Sequence, residues 1–138
     1  MDLSDLNPTE KQSKASKILI VDDEKAIRSV MVATLTDLGH TVLEASNGED
    51  GVKLYQSHKP DLVFLDIVMP RMNGMDAYLE IKKINSQAPI IFITGQAGEY
   101  LEQILENLTR TENIYLLRKP FDIDELLRVV EAVLSHLT

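Results

Sequence analysis

Six polar residues with the means to do chemistry follow four short, mainly apolar runs. After ILIV come Asp22, Asp23 and Glu24, after LVFL comes Asp66, after IIFI comes Thr94, and after LLR comes Lys119. Burying an unpaired carboxylate costs several kcal/mol. Asp66 must therefore lie at the open end of its run or meet a cation there.

The elements around these residues alternate between strand and helix from Lys17 onward. Runs of β-branched and apolar residues predict strands at 17–23, 41–46, 61–66, 89–94 and 113–120. Helical periodicity and start signals predict helices at 25–39, 47–58, 74–85, 97–109 and 122–137.

Two kinds of signal define these helices. The first helix has one apolar stripe, made of Ile27, Val30, Met31, Leu35 and Leu38. The second opens at Asn47, a good N-cap residue, and the last opens at Asp122 and Glu125, which have the spacing of a capping box.

Several predicted strands are apolar throughout, not only at every second residue. Such strands are typical of parallel sheets that are covered on both faces. We therefore predict an α/β fold with a doubly wound, five-stranded parallel sheet and five helices. Ligands bind such sheets outside the carboxyl ends of the strands, which is where the six polar residues would gather.

Three carboxylates at one edge would repel one another, so a bound divalent cation would stabilise them. Oxygen ligands suit Mg²⁺, which takes one or two carboxylates and keeps several waters. Asp66 could then attack phosphorus as a nucleophile, while Lys119 and Thr94 stabilise the phosphoryl oxygens. Gly95 would leave room for the incoming group.

Composition argues against several other classes. The chain has no cysteine, so a disulfide framework or a thiolate site is excluded, and a cytoplasmic protein is expected. A net charge of −8 disfavours direct nucleic acid binding, and no apolar stretch is long enough for a membrane span. The histidines His40, His58 and His136 fall in predicted turns or at a helix end, and we expect them to be exposed.

Four motifs together resemble the receiver domain of two-component response regulators. They are ILIVDDE (18–24), LVFLDIVMPRMNG (62–74), IIFITG (90–95) and LLRKPF (116–121), and the resemblance runs from residue 17 to about 137. It implies a flavodoxin-like sheet with strand order 2-1-3-4-5. It also implies Mg²⁺-dependent transfer of a phosphoryl group to an aspartate from a histidine kinase or a histidine phosphotransfer protein.

Carried over residue by residue, the resemblance makes Asp66 the phosphoacceptor. Thr94 becomes the switch hydroxyl, and Lys119 becomes the lysine that contacts the phosphoryl group. The bond between Lys119 and Pro120 is expected to be cis.

The resemblance also implies a set of metal ligands. Asp23 would bind Mg²⁺ directly, and Asp22 would bind it directly or through water. Asp66 and the backbone carbonyl of Val68 would complete the protein's share.

Two departures fall on the face formed by the fourth helix, fifth strand and fifth helix, where members of this family commonly bind partners. The switch aromatic of the family lies three residues before the lysine, but here that position is Leu116, and Tyr115 lies on the other face of an ideal strand. The segment 108–113 lacks the small residues usual before the fifth strand.

Two rival functions remain open. One is a phosphatase or phosphotransferase that forms an aspartyl phosphate, although the second aspartate typical of that class is replaced by Val68. The other is an interaction module that is not phosphorylated. Under the receiver reading the chain is not a turnover enzyme, because it would catalyse only its own phosphorylation and dephosphorylation.

The domain prediction is a disordered tail at 1–16 and a receiver domain at 17–138. The tail is mostly polar but contains Leu3 and Leu6, so a short binding motif around them stays an alternative. No basic output region follows the last helix in this sequence, so we expect no transcriptional output from it. The sequence leaves open a stand-alone receiver and a piece of a longer protein.

Overall fold

The computed structural model describes residues 15–69, 72–95, 98–111 and 114–135. Almost all of the predicted tail therefore lies outside the described residues, as do Gln96 and His136. None of the helices in these ranges combines the length and apolarity needed to cross a lipid bilayer.

Strands and helices alternate in the predicted order. The strands are β1 Lys17–Val21, β2 Thr41–Ala45, β3 Leu62–Asp66, β4 Ile90–Thr94 and β5 Ile114–Arg118. The helices are α1 Lys25–Asp37, α2 Gly48–His58, α3 Gly74–Ile84, α4 Gly98–Thr111 and α5 Ile123–Ser135. All strand pairs are parallel and the order is β2-β1-β3-β4-β5, so the predicted flavodoxin-like topology is confirmed.

Two apolar layers cover the sheet, one on each face. On one face, strand residues such as Leu65 and Phe92 pack with Tyr55 of α2, Ile81 of α3 and Leu105 of α4. The layer on the other face combines alternate strand residues with α1 and α5; its buried members include Ile20, Phe64, Met31, Leu35, Leu126 and Val130. Because β3 and β4 are buried on both faces, their apolar side chains need no alternation.

The helix starts follow the predicted signals. Asn47 accepts a hydrogen bond from the backbone N–H of Asp50 at 2.8 Å. Asp122 and Glu125 form a reciprocal capping box, with Asp122 Oδ1 accepting from Glu125 N at 2.8 Å and Glu125 Oε1 accepting from Asp122 N at 3.2 Å.

The prediction of an apolar stripe on α1 was wrong for one residue, Val30. Val30 is 50% exposed, whereas Met31 and Leu35 are fully buried. Ile27, Met31 and Leu35 are spaced by four and define the buried face, and Val30 lies one residue, about 100°, away from Met31 around the helix axis.

The exposure predicted for His40 was also wrong, although His58 is exposed as expected. His40 is only 4% exposed, because the turn after α1 folds beneath the chain entering β1. Its Nδ1 atom accepts a hydrogen bond from the backbone N–H of Ser16 at 3.1 Å. Burial lowers the pKa of His40 below 6.5, against a smaller opposing effect of Glu131.

Candidate functional site

The strand register brings the predicted site residues to one edge of the sheet. Val21 of β1 pairs with Leu65 of β3, so Asp22 and Asp66, the next residues of the two strands, become neighbours. On the other side of β3, β4 ends at Thr94, whose carbonyl accepts a hydrogen bond from Lys119 N at 2.7 Å. The Lys119–Pro120 peptide bond is cis, as the resemblance implies.

Lys119 is the cation that the buried carboxylate of Asp66 meets. Its Nζ lies 3.2 Å from Oδ2 of Asp66 and 3.0 Å from Oδ2 of Asp22, and it also contacts Oε1 of Glu24. Burial disfavours the charged lysine, but its hydrogen bonds and ion pairs, first with Glu24 and then with Asp22, outweigh this and raise the pKa of Lys119. The ammonium group therefore stays charged at the centre of an acidic site.

Asp66 is held by groups on both of its oxygens. Oδ1 accepts a hydrogen bond from the backbone N–H of Val68 at 3.1 Å, and Oδ2 faces Lys119. The side chain is 6% exposed. Burial and the nearby charge of Asp22 raise the pKa of Asp66 from 3.8 to about 6, although Lys119 opposes this shift.

The turn after Asp66 depends on a glycine. A Cβ atom on Gly74 would lie 2.3 Å from the carbonyl oxygen of Asp66, a distance that real side chains do not reach. Gly74 N also donates a hydrogen bond to the carbonyl of Ile67 at 2.9 Å. The start of α3 can therefore pack directly against the end of β3 and fix the backbone that carries Asp66.

Asp22 is wholly buried and is anchored through its backbone as well as its side chain. Arg28 donates from Nη1 to the carbonyl of Asp22 at 2.7 Å, and its Nε pairs with Oε1 of Glu44 at 3.0 Å. Oδ1 of Asp22 accepts from Glu24 N at 2.8 Å. Arg28 thus ties the loop after β1 to the neighbouring strand β2.

Asp22, Asp23 and Asp66 each offer an oxygen within 4.8 Å of the other two, and this set fits a metal ion. Oδ2 of Asp22 is buried, and within the described chain its partner is the ammonium group of Lys119 at 3.0 Å. A carboxylate oxygen can only accept, and this one lies beside the exposed carboxylate of Asp23 and the buried carboxylate of Asp66. Hard cations such as Mg²⁺ bind oxygen ligands of this kind.

Thr94 lies at the same edge but does not yet contact Asp66. It is 1% exposed, and its hydroxyl donates a weak hydrogen bond to the carbonyl of Gly95 at 3.3 Å. A Cβ atom at Gly95 would meet nothing within 4 Å, so the structure places open space there. The hydroxyl of Thr94 can exchange its present acceptor at little cost.

The two residues near the predicted switch position pack on opposite faces of the sheet. Leu116 packs with the layer of α2, α3 and α4, and Tyr115 packs with the layer of α1 and α5. Both are half-buried. The alternation expected for neighbouring strand residues therefore holds at this position.

Sequence reasoning gave no role of its own to two residues of the site, Glu24 and Arg28. Glu24 was grouped only with the acidic strand end, although it contacts Lys119. Arg28 was passed over, yet its side chain is only 14% exposed. A signal was present, since Arg28 lies four residues after Glu24, the N-cap of α1, and Glu44 is a charged residue inside a strand.

An acidic cluster that faces a lysine at the carboxyl edge of a parallel 2-1-3-4-5 sheet defines a receiver-type signalling fold. The family model described as the response regulator receiver domain matches residues 18–131. The chain belongs to this family, and it is a receiver domain of the two-component type.

Relatives and solved structures agree with this assignment. The chain is 37% identical over 131 residues to "Probable transcriptional regulator ycf27" of Cyanidium caldarium, covering 92% of this chain and 50% of the relative. It is 35% identical over 122 residues to "Chemotaxis protein CheY" of Bacillus subtilis (strain 168), covering 88% of this chain and 99% of the relative.

Among solved structures, the receiver domain of NtrX from Brucella abortus superposes with a TM-score of 0.74 at 32% identity, covering 86% of this chain and 98% of that one. The chain spans about half the length of the ycf27 regulators that it matches.

Proposed function

We propose that the protein accepts a phosphoryl group on Asp66, in a Mg²⁺-dependent transfer from a phosphohistidine of a histidine kinase or a histidine phosphotransfer protein. The observation that carries this proposal is the 3.2 Å contact between Lys119 Nζ and Asp66 Oδ2 at the end of a buried strand. A lysine in that place stabilises the negative charge of phosphoryl oxygens as they arrive at the carboxylate.

The chemistry uses groups already at the sheet edge. An oxygen of Asp66 forms a bond to phosphorus, the bond between phosphorus and the donor nitrogen breaks, and the imidazole leaves with the electron pair. Lys119 donates to one phosphoryl oxygen. Thr94 turns its hydroxyl from the Gly95 carbonyl to another.

Asp22, Asp23, Asp66 and the backbone carbonyl of Val68 would hold the Mg²⁺ ion. When bound, the ion neutralises negative charge on the carboxylates and on the transferring group. The buried Oδ2 of Asp22, which faces Lys119 and lies in one cluster with Asp23 and Asp66, supports this assignment. The carbonyl of Val68 is assigned by the resemblance to the family.

The output surface we propose is the face of α4, β5 and α5, with Leu116 and Tyr115 among its residues. It carries a shallow cavity of about 470 Å³ lined by side chains of β5 and α5, namely Leu116, Leu117, Arg118, Glu125, Arg128 and Val129. Leucines and valines beside charged groups fit a protein partner. The net charge of −8 makes a nucleic acid partner unfavourable.

The same geometry disfavours a turnover enzyme. A phosphatase of the aspartyl-phosphate class needs an acid to protonate its leaving group. The position two residues after Asp66 is Val68, whose side chain is 65% exposed and carries no proton to give.

We also propose the domain boundaries that the sequence predicts, a tail at 1–16 and the receiver domain at 17–138.

The test is phosphorylation of the intact protein. Incubation with acetyl phosphate and Mg²⁺ should add about 80 Da, the mass of one phosphoryl group, to the wild type. The gain should vanish in Asp66→Asn and without Mg²⁺, but persist in Asp76→Asn, which changes an exposed carboxylate on α3. A gain that survives in Asp66→Asn would remove Asp66 as the acceptor.

A phosphotransfer profile against candidate histidine kinases then identifies the donor. Transfer to the wild type but not to Asp66→Asn is expected for the true donor. Release of phosphate from a phosphomonoester with repeated turnover would favour the phosphatase instead.

A further inference from the structure

The ammonium group of Lys119 is shared among three carboxylates. It has three N–H donors, and its neighbours are Asp22, Asp66 and Glu24. A phosphoryl oxygen arriving at Asp66 needs one of these donors. One of the three carboxylates must therefore give up its contact when the phosphoryl group arrives.

Glu24 is the carboxylate that can move. The side chains of Asp22 and Asp66 are 0% and 6% exposed, whereas that of Glu24 is 57% exposed. Displacing a buried carboxylate would leave it unpaired at high cost, but Glu24 would only return to water.

The side chain of Glu24 does not stabilise the start of α1. Glu24 is the N-cap residue of α1, yet its side chain makes no capping hydrogen bond. Its backbone N–H, not its side chain, binds Asp22. Within the described residues, the side chain of Glu24 contacts Lys119 alone.

We propose that Glu24 occupies, in the resting protein, the place at Lys119 that a phosphoryl oxygen takes after transfer, and that it thereby slows phosphorylation by small anionic donors. This inference rests on the proposed function. Glu24 acts as a rate-setting residue through Lys119: its charge repels the donor and competes with the phosphoryl oxygens for the ammonium group.

The step it controls is balanced without any further reactant. With acetyl phosphate, a bond forms between an Asp66 oxygen and phosphorus, the bond from phosphorus to the acetate oxygen breaks, and acetate leaves with the electron pair. Glu24 gains and loses no proton in this step. Its effect is electrostatic, so it must weaken as salt screens the charges.

The experiment compares the rate of self-phosphorylation by acetyl phosphate, followed by intact mass, in the wild type and in Glu24→Gln, both with saturating Mg²⁺. We expect the variant to react about two- to fivefold faster, which is the range of one partly exposed ion pair. Glu24→Ala should change the rate in the same direction. The matched control is Glu80→Gln, which changes a partly exposed glutamate that pairs with Lys83 at 3.1 Å on α3, and it should react like the wild type.

The salt dependence of the phosphorylation rate distinguishes an electrostatic role of Glu24 from a purely structural one. The rate ratio of variant to wild type should fall toward one between about 0.01 M and about 1 M ionic strength, since the screening length drops from about 30 Å to about 3 Å. Equal or slower reaction of Glu24→Gln and Glu24→Ala at low salt would overturn the role of Glu24. Failure of the wild type itself to gain mass on Asp66 would instead overturn the proposed function.

Discussion

Lys119 Nζ lies 3.2 Å from Asp66 Oδ2, and these two residues are 53 positions apart in the chain. The contact joins the ends of β3 and β5, two strands separated by β4. It does not fully offset the cost of the site, because burial and Asp22 still raise the pKa of Asp66 to about 6. The fold thus holds the ionised carboxylate of Asp66 in a state that lowers the stability of the protein.

That cost predicts a pH-dependent gain in stability for Asp66→Asn. The pKa of Asp66 is about 6 in the folded protein and 3.8 ordinarily, so the native state binds the proton more tightly than the unfolded chain. Ionised Asp66 therefore lowers the free energy of unfolding as pH rises through the window from about 4 to about 6. Two pKa units correspond to on the order of 3 kcal/mol above that window.

Denaturant unfolding in EDTA at pH 4 and pH 7.5 measures this effect. Asp66→Asn should be more stable than the wild type at pH 7.5, and the difference should nearly disappear at pH 4. Asp76→Asn controls for the loss of one negative charge. The effect of His40, which favours the folded state as pH rises to about 6.5, is common to all three proteins and cancels. A constant difference between Asp66→Asn and wild type at both pH values would contradict the prediction.

A second prediction concerns Mg²⁺. A ligand that binds only the native state stabilises it by RT ln(1 + [L]/Kd), about 1.4 kcal/mol at tenfold excess over Kd, and should raise Tm by roughly 3–6 °C. A cation bound there would also relieve repulsion among Asp22, Asp23 and Asp66. Thermal melts with and without Mg²⁺ test this, and Asp23→Ala should lose most of the shift. An equal shift in Asp23→Ala would place the ion elsewhere.

Arg28 should support the metal site without touching the metal. Its hydrogen bond to the Asp22 carbonyl is 2.7 Å long and partly buried, so Arg28→Met should cost about 1–3 kcal/mol of stability. It should also reduce the Mg²⁺-induced rise in Tm, because the loop that carries Asp22 and Asp23 loses its tie to β2. Arg128→Met, which changes an exposed arginine on α5, is the matched control. A destabilised Arg28→Met with an unchanged Mg²⁺ shift would show that Arg28 has a structural role only.

Loss of the phosphoryl group should be slow because of Val68. Hydrolysis needs a water in line with the bond from Asp66 to phosphorus, and Val68, two residues further on, can neither orient that water nor accept its proton. Gln96, which we expect to flank the same path, lies outside the described residues. Val68→Asn should therefore shorten the lifetime of the phosphorylated protein by at least about threefold.

Decay of the added mass after removal of acetyl phosphate measures that lifetime. Val30→Asn is the matched control, because Val30 is also exposed but lies on α1. If phosphorylated Val68→Asn loses its phosphoryl group no faster than the wild type, the residue at position 68 does not control the hydrolytic water.

The residues of the site could be predicted because they depend on strand ends. In a parallel sheet, the residue that follows each strand reaches the same edge, so identifying β1, β3, β4 and β5 was enough to gather Asp22, Asp66, Thr94 and Lys119. Helix starts such as Asn47 were equally predictable, because a cap is a local hydrogen bond.

Contacts that depend on the direction of a side chain could not be predicted from the sequence. The burial of His40 depends on the chain at Ser16 passing over it, 24 residues away. Val30 was misjudged because its apolar character alone does not say which side of α1 the sheet lies on. The contact of Glu24 with Lys119 spans 95 residues, and no local pattern encodes it.

The proposed output face of α4, β5 and α5 has Leu116 at the position of the family's switch aromatic. Thr94, if drawn toward a phosphoryl group, vacates space near β5. Leu116 packs on the α4 side of the sheet, where it can respond, whereas Tyr115 packs on the α5 side. Leu116 has no hydroxyl to exchange between water and backbone. Its alternative states should therefore differ little in the surface they present.

We therefore predict a modest change on phosphorylation, centred on Thr94, residues 95–101 and Leu116, with Tyr115 unchanged. A switch shifts populations only through a differential interaction with its two states, and a leucine offers a small one. Amide NMR shifts with and without beryllofluoride, a phosphoryl mimic, in Mg²⁺ measure the response, and Asp66→Asn with the same additions is the control. Changes confined to the loops around Asp22 and Asp66, with none along residues 95–118, would show that the face of α4, β5 and α5 is not the output.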